Sequence, residues 1–212
     1  NLITGRLEPD SGTVEIGSTI HIGYFDQHSD DLLDDATQNQ RVIDYIKDVA
    51  TYVQTADGTQ ITASQMLERF LFPPDQQYAP IHKLSGGEKR RLFLLKVLMG
   101  APNLLILDEP TNDLDVQTLS ILEDYLEDFN GCVIIVAHDR YFLDRTVNMI
   151  FALEGNGLLR QYPGNYSLYL DYKQAEAVQN PPENPPQKEA IASGISPAQL
   201  ETWYRDGYLI VK

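Results

Sequence analysis

Cysteine is almost missing from this chain. Cys132 is the only one among 212 residues, so no internal disulfide can form and the core must stand on packing alone. Positive charge is scarce. Lys and Arg total 16 against 31 Asp and Glu, a net charge of −15, which argues against broad, sequence-independent binding to nucleic acid through the overall field. Long apolar runs are also missing: none approaches the roughly 20 residues needed to span a bilayer, and no signal peptide is visible. These absences predict a soluble, cytoplasmic chain without a membrane partner. An initiator Met is absent too. "NLITGRLEP" opens on helix-like patterning with Leu2, Ile3 and Leu7 apolar, and reads as starting inside a fold.

What is present is globular, with 42% hydrophobic residues and 22% charged. Val14, Ile16, Ile20, Ile22 and Tyr24 alternate on both sides of Gly17-Ser18 and predict two antiparallel strands. "RVIDYIKDVATYV" and "SQMLERFLF" predict two helices, the second stopped by Pro73-Pro74. From Leu84 onward helices and strands alternate: a helix over 86–99, a strand at 104–107, a helix over 115–129 and a strand at 133–137. Short, wholly apolar strands between helices imply a parallel sheet covered on both faces, an α/β class. "MIFALEGNGLLRQY" predicts a hairpin turning at Gly155-Asn156-Gly157, and "NYSLYLDYKQAEAV" a helix. "NPPENPPQKEAIASG" reads as a disordered linker, followed by a tail with Trp203, Tyr204 and Tyr208 and a helix start at Ser196. Cys132, at the head of an apolar strand, is expected to be a small buried hydrophobe.

Two strands end in polar groups. The first delivers Asp108 and Glu109, and the second delivers His138 and Asp139. Ligands of open parallel sheets bind beyond the carboxyl ends of strands. Neighbouring carboxylates need a cation or donors to offset them, and a hard divalent ion such as Mg²⁺, held partly through water, would do so. The second carboxylate could then orient or deprotonate an attacking water, and the histidine could hold a phosphoryl oxygen. A polar strand end before a proline-directed turn accounts for Asp108 and Glu109 equally well. "KLSGGEKRR" adds a second signal. Ser85, Gly86 and Gly87 precede a helix whose N–H groups and dipole suit an anion, ideally phosphate, although a plain Ser-capped helix has the same pattern. Lys89, Arg90 and Arg91 run against that dipole and suit an anionic partner or solvent.

"LSGGE", "LLILDEPTNDLD" and "VAHDRYFLD", in this order and with "YFDQ" upstream, resemble the ATP-binding cassette family over roughly residues 1 to 175. "DEPTNDLD", "HDRYFLD" and "GNYSLYLDY" resemble its ABC-F class, which carries two cassettes in one chain and no membrane domain. "TNDLDV", "ALEGNG" and "FLFPP" are most similar to the second cassette of Uup-type members. The resemblance implies a P-loop NTPase-like α/β domain with a helical subdomain, ATP and Mg²⁺ as cofactors, and ATP hydrolysis. It implies a second cassette as partner, with the ribosome or nucleic acid engaged through the full-length protein. Residue by residue, it implies that Gln27 contacts Mg²⁺ and the attacking water. Ser85, Gly86 and Gly87 would bind the γ-phosphate of an ATP held by the opposite cassette. Asp108 would hold Mg²⁺ through water, Glu109 would be the general base, and His138 would contact the γ-phosphate. Asp115 would lie in the loop crossing the cassette interface.

The resemblance divides the chain into five stretches. Residues 1–28 would be partial ATPase core, 29–100 the helical and signature subdomain, and 101–178 the rest of the core. A linker at 179–195 and a tail at 196–212 would follow. The phosphate-cradling pattern G-x-x-x-x-G-K-[ST] is absent, and no Gly-Lys dipeptide occurs. The family carries it just upstream of the helix that "NLITGRLEPDSG" resembles, so the chain is expected to be cut short before residue 1 and inactive alone. Two rival readings are a nucleotide-binding subunit of a membrane transporter and a non-catalytic gene remnant. "PTNDLD" and the "HDRYFLD" ending weigh against the transporter subunit.

Overall fold

A computed structural model describes residues 2–26, 35–54, 58–154, 158–179 and 208–211. The chain separates into two compact units, Asn1–Ile135 and Val136–Lys212.

The first unit combines a sheet with a helical layer. Strand β1 (Ile22–Phe25) pairs in parallel with β4 (Leu104–Asp108), Ile22 opposite Leu104 and Phe25 opposite Leu107. β5 (Cys132–Val136) lies next to β4 in the sheet, and its first N–H donates to the Asn103 carbonyl at 3.0 Å. The parallel order is the one the apolar strands imply: Leu105, Leu107, Val133 and Ile135 are fully buried. Between β1 and β4 come α1 (Asp35–Gln38), α2 (Val42–Lys47), the ribbon β2 (Tyr52–Gln54) with β3 (Gln60–Thr62), α3 (Ala63–Arg69), α4 (Pro74–Gln77), a 3₁₀ turn at Ile81–Lys83, and α5 (Gly86–Met99). After β4 the chain makes the one-turn helix α6 (Pro110–Asp113) and then α7 (Val116–Glu127).

Helix α5 starts where Ser85 and Glu88 form a reciprocal capping box and stops at Gly100. Leu92, Leu94, Leu95, Leu98 and Met99 carry it into the core. α7 starts at Asp115, whose carboxylate accepts the Thr118 N–H at 2.8 Å, and buries Leu122 and Leu126. The second unit holds α8 (Arg140–Thr146), the antiparallel hairpin β6 (Met149–Glu154) and β7 (Leu158–Pro163), and α9 (Tyr166–Gln179). β8 (Tyr208–Val211) pairs antiparallel with β6, Ile150 opposite Ile210.

Several expectations fail, each for a local reason. Leu2–Gly5 form a turn, not a helix, closed by the Gly5 N–H to the Leu2 carbonyl at 3.2 Å with Gly5 at φ +70°. Residues 13–20 form no strand. Val14, Ile16 and Ile20 are exposed because no described strand pairs with them, and β1 pairs in parallel with β4, not in a hairpin. The long helix expected over 41–53 ends at Lys47. Tyr52 and Val53 go into a ribbon whose partner, Gln60–Thr62, carried no clear strand signal. α3 ends at Arg69, ahead of the prolines, because Leu71 turns left-handed at φ 60°. Pro74 then starts α4, where its missing N–H costs nothing. Cys132 is exposed because it is the first residue of β5, at the sheet's end. Tyr208 lies in β8, a strand the tail did not announce. The Gly155–Gly157 turn, Ser196, Trp203, Tyr204 and nearly all of the expected linker lie outside the described residues.

Candidate functional site

Asp108 ends β4 and Glu109 follows it, both half-buried. Glu109 adopts φ 52°, ψ 49°, a left-handed conformation that costs a non-glycine residue roughly 1–2 kcal/mol. It lets the chain reverse from strand to the one-turn α6 within a single residue, keeping both carboxylates at the strand's carboxyl end. Non-glycine residues held this way cluster at functional sites.

Asp108 has a neighbour that the sequence did not single out. The Tyr24 hydroxyl, from β1, donates to Asp108 Oδ2 at 3.3 Å. Burial first, and then the Asp108 and Asp26 carboxylates, push the Tyr24 pKa up to about 12, so the phenol remains a donor. The Arg6 guanidinium stacks 4.3 Å from the Tyr24 ring centroid and pairs with the buried Asp26. Gln27, assigned to the same end of β1, lies outside the described residues.

The start of α5 is the second half of the site. The N–H groups of Gly86 and Gly87 are the first two of the helix and have no intrahelical acceptor. A Cβ added at either glycine would meet nothing within 4 Å, so the approach is open. The Ser85 N–H and hydroxyl both donate to Glu88 Oε2, at 2.7 and 2.8 Å. These donors, the Ser85 backbone N–H first, hold the Glu88 carboxyl below its ordinary pKa.

Two of the three basic residues that follow, Arg90 and Arg91, have acidic partners. Arg90 pairs with Asp113, and Arg91 with Asp115 at 3.4 Å. Arg91 is buried, with its guanidinium 5.0 Å from the Phe72 ring centroid. Two cations of the signature helix thus hold two carboxylates of "TNDLD". The sequence signal was legible: an acidic loop and a basic helix start with complementary charge. The Thr118 N–H, above all, together with Arg91, depresses the Asp115 pKa.

His138, in the second unit, is exposed and lies one residue before Asp139. The Asp139 carboxylate caps α8 by accepting the Phe142 N–H at 2.9 Å. The geometry therefore gathers Tyr24, Asp108 and Glu109 at the strand ends and Ser85, Gly86, Gly87 and Asp115 around α5.

Asp108, a carboxylate at the strand end, suits a hard cation such as Mg²⁺. Among the described residues no three His, Cys, Asp or Glu side chains converge as an all-protein cage, and Asp108 offers one hard carboxylate. Among them, too, no helix is long and apolar enough to cross a membrane.

A family model described as "ABC transporter" matches residues 1–112. The "Uncharacterized ABC transporter ATP-binding protein YfmR" of Bacillus subtilis is 54% identical over 176 residues, covering 83% of this chain and 27% of the relative. "ATP-binding protein Uup" of Haemophilus influenzae is 42% identical, covering 83% and 26%. "Energy-dependent translational throttle protein EttA" of Escherichia coli K12 is 36% identical, covering 81% and 30%. The chain thus spans about a quarter to a third of the length of the curated relatives it matches. In fold, it is similar to the archaeal ribosome recycling factor aABCE1, solved with the stalk protein aP1. The TM-score is 0.58 at 19% identity, covering 82% of this chain and 33% of that one.

Proposed function

The chain belongs to the ATP-binding cassette family, in its ABC-F class, and on that premise we propose that it is part of a MgATP-hydrolysing cassette acting in translation or on a related nucleic-acid machine. The observation that carries the reading is the paired architecture of the first unit. Two half-buried carboxylates stand at the end of β4, where Glu109 is left-handed, and two open glycine amides stand at the start of α5.

In this reading Mg²⁺ would supply counter-charge to the triphosphate; Asp108, which accepts the Tyr24 hydroxyl, would hold the ion through water, and the resemblance assigns Gln27 to the same ion. Glu109 accepts the proton of the attacking water. By the family resemblance alone, His138 would contact the terminal phosphate. By the resemblance Ser85, Gly86 and Gly87 would meet the terminal phosphate of a nucleotide on a second cassette, which Asp115 would face; the donors open to it are the Gly86 and Gly87 amides, because the Ser85 N–H and hydroxyl both donate to Glu88. The ion pairs from Arg90 and Arg91 support this by tying the Asp115 loop to the same helix that offers the amides.

The 212 residues contain no G-x-x-x-x-G-K-[ST] loop, so the nest of N–H groups and the lysine that offset β- and γ-phosphate charge are not supplied by this sequence. Weak or no MgATP turnover by the chain alone follows. The translational role rests on EttA, named as a translational throttle.

The test is phosphate release by the 212-residue chain and by a longer chain in which the phosphate loop and its strand precede residue 1. The short chain is expected to be inactive. The long one should turn over ATP and lose turnover, with binding kept, on Glu109→Gln. Undiminished turnover in that variant would refute the reading.

A further inference from the structure

The consecutive glutamines at the end of α4 do different work. Gln77 is buried and locks α4 to its surroundings: its Oε1 accepts the Ser64 hydroxyl at 2.7 Å, and its Nε2 donates to the Phe72 carbonyl at 3.0 Å and the Ser64 carbonyl at 3.2 Å. Gln76 faces the other way, and its Nε2 donates to Glu88 Oε1 at 2.6 Å. Glu88 therefore has both oxygens engaged, one by Gln76 and the other by the Ser85 N–H and hydroxyl.

We propose that Gln76 is a positioning residue for the signature: through Glu88 it fixes Ser85 and so decides how the Gly86 and Gly87 amides meet an anion. The proposal rests on the reading that Ser85–Gly87 receive a terminal phosphate. Its physical basis is hydrogen-bond polarity. Gln76 and Ser85 supply three N–H or O–H donors, and an ionised carboxylate accepts all of them. Without Gln76, Oε1 loses a short, charge-assisted bond and the carboxylate can rotate away from the cap. Arg91, one turn on along α5 and itself paired with Asp115, acts electrostatically on Glu88, and from α4 the neutral Gln76 amide donates to it. The anchored Gln77 makes this geometry a property of the helical layer as well as of α5.

The arrangement also predicts a swap. Gln76→Glu would set two carboxylates against each other. Gln76→Glu combined with Glu88→Gln reverses the bond: the new amide at 88 donates to the new carboxylate at 76 and keeps its oxygen toward Ser85.

The experiment is amide NMR on the full 212-residue chain. In Gln76→Ala the Ser85 amide is expected to lose about tenfold of its exchange protection. The midpoint of its pH titration, which reports Glu88, should move up towards the ordinary carboxylate range. Gln76→Glu should move it further, and the double variant should restore protection. A Ser85 amide unchanged in position and titration in Gln76→Ala, with only the melting temperature lowered, overturns the proposal. A double variant no better protected than Gln76→Glu does so as well. A second arm adds a MgATP-loaded second cassette. If Ser85 depends on Gln76 but the Gly86 and Gly87 amides do not respond to that addition, the phosphate reading fails while the positioning role stands.

Discussion

Replacing Asp115 by alanine and by asparagine separates the two things this carboxylate does. It caps α7 through the Thr118 N–H at 2.8 Å, and it pairs with the buried Arg91 at 3.4 Å. Loss of an Asp cap costs about 1 kcal/mol. The ion pair contributes about 0.5 kcal/mol, because the Asp115 side chain is 56% exposed and water screens it. Asp115→Ala should therefore cost about 1.5 kcal/mol, a fall in Tm of roughly 3–6 °C for a chain of this size. Asp115→Asn keeps an oxygen for the Thr118 N–H and removes the charge, so it should cost about 0.5 kcal/mol, or roughly 1–2 °C.

The difference between wild type and Asp115→Asn also has a pH signature. The folded carboxyl has its pKa lowered by the Thr118 N–H first and by Arg91 after it. Its contribution is thus fully present above the ordinary carboxylate value, about 4, and fades as pH falls through the lowered folded value. Thermal melts followed by far-UV circular dichroism at neutral pH and at successively lower pH would measure both effects. Equal losses in the two variants would show that Asp115 does not cap α7. A gap between wild type and Asp115→Asn that persists in acid would show that the Arg91 pair contributes nothing.

Glu109→Gly should relieve the left-handed backbone and raise stability by up to about 1 kcal/mol, whereas Glu109→Gln should leave it unchanged, as urea titration would report. Gly131→Ala should destabilise by about 1–3 kcal/mol, because the new Cβ would lie 2.6 Å from the Phe129 ring and 2.7 Å from the Asn103 carbonyl oxygen. A melting curve unchanged from wild type would contradict that packing. Leu122→Ala, in the fully buried stripe of α7, should cost about 2–5 kcal/mol in the same titration.

Much of the site was legible in the chain because its chemistry is local. Asp108 and Glu109 follow an apolar strand, and Ser85, Gly86 and Gly87 stand at the start of a helix. Strand β4, helix α5 and the hairpin β6–β7 follow from period and punctuation, and the structure reproduces them within a residue or two. The resemblance of "DEPTNDLD", "HDRYFLD" and "GNYSLYLDY" pointed to the ABC-F class, as the relatives bear out. Other features depend on partners distant in sequence. Residues 13–20 alternate like strands, but alternation supplies no partner, and among the described residues none pairs with them. Tyr208–Val211 pairs antiparallel with β6, a partner distant in sequence that the tail itself does not reveal. Tyr24 meets Asp108 across 84 positions and Gln76 meets Glu88 across 12; the first bond orients a residue the sequence had already named, and the second orients one it had not. The sequence by itself determined which candidate groups stand at the strand and helix ends, because residue type and local period settle charge, donors and helix ends. Only the tertiary structure decided which neighbours orient them, because orientation depends on distances that close when separate elements pack.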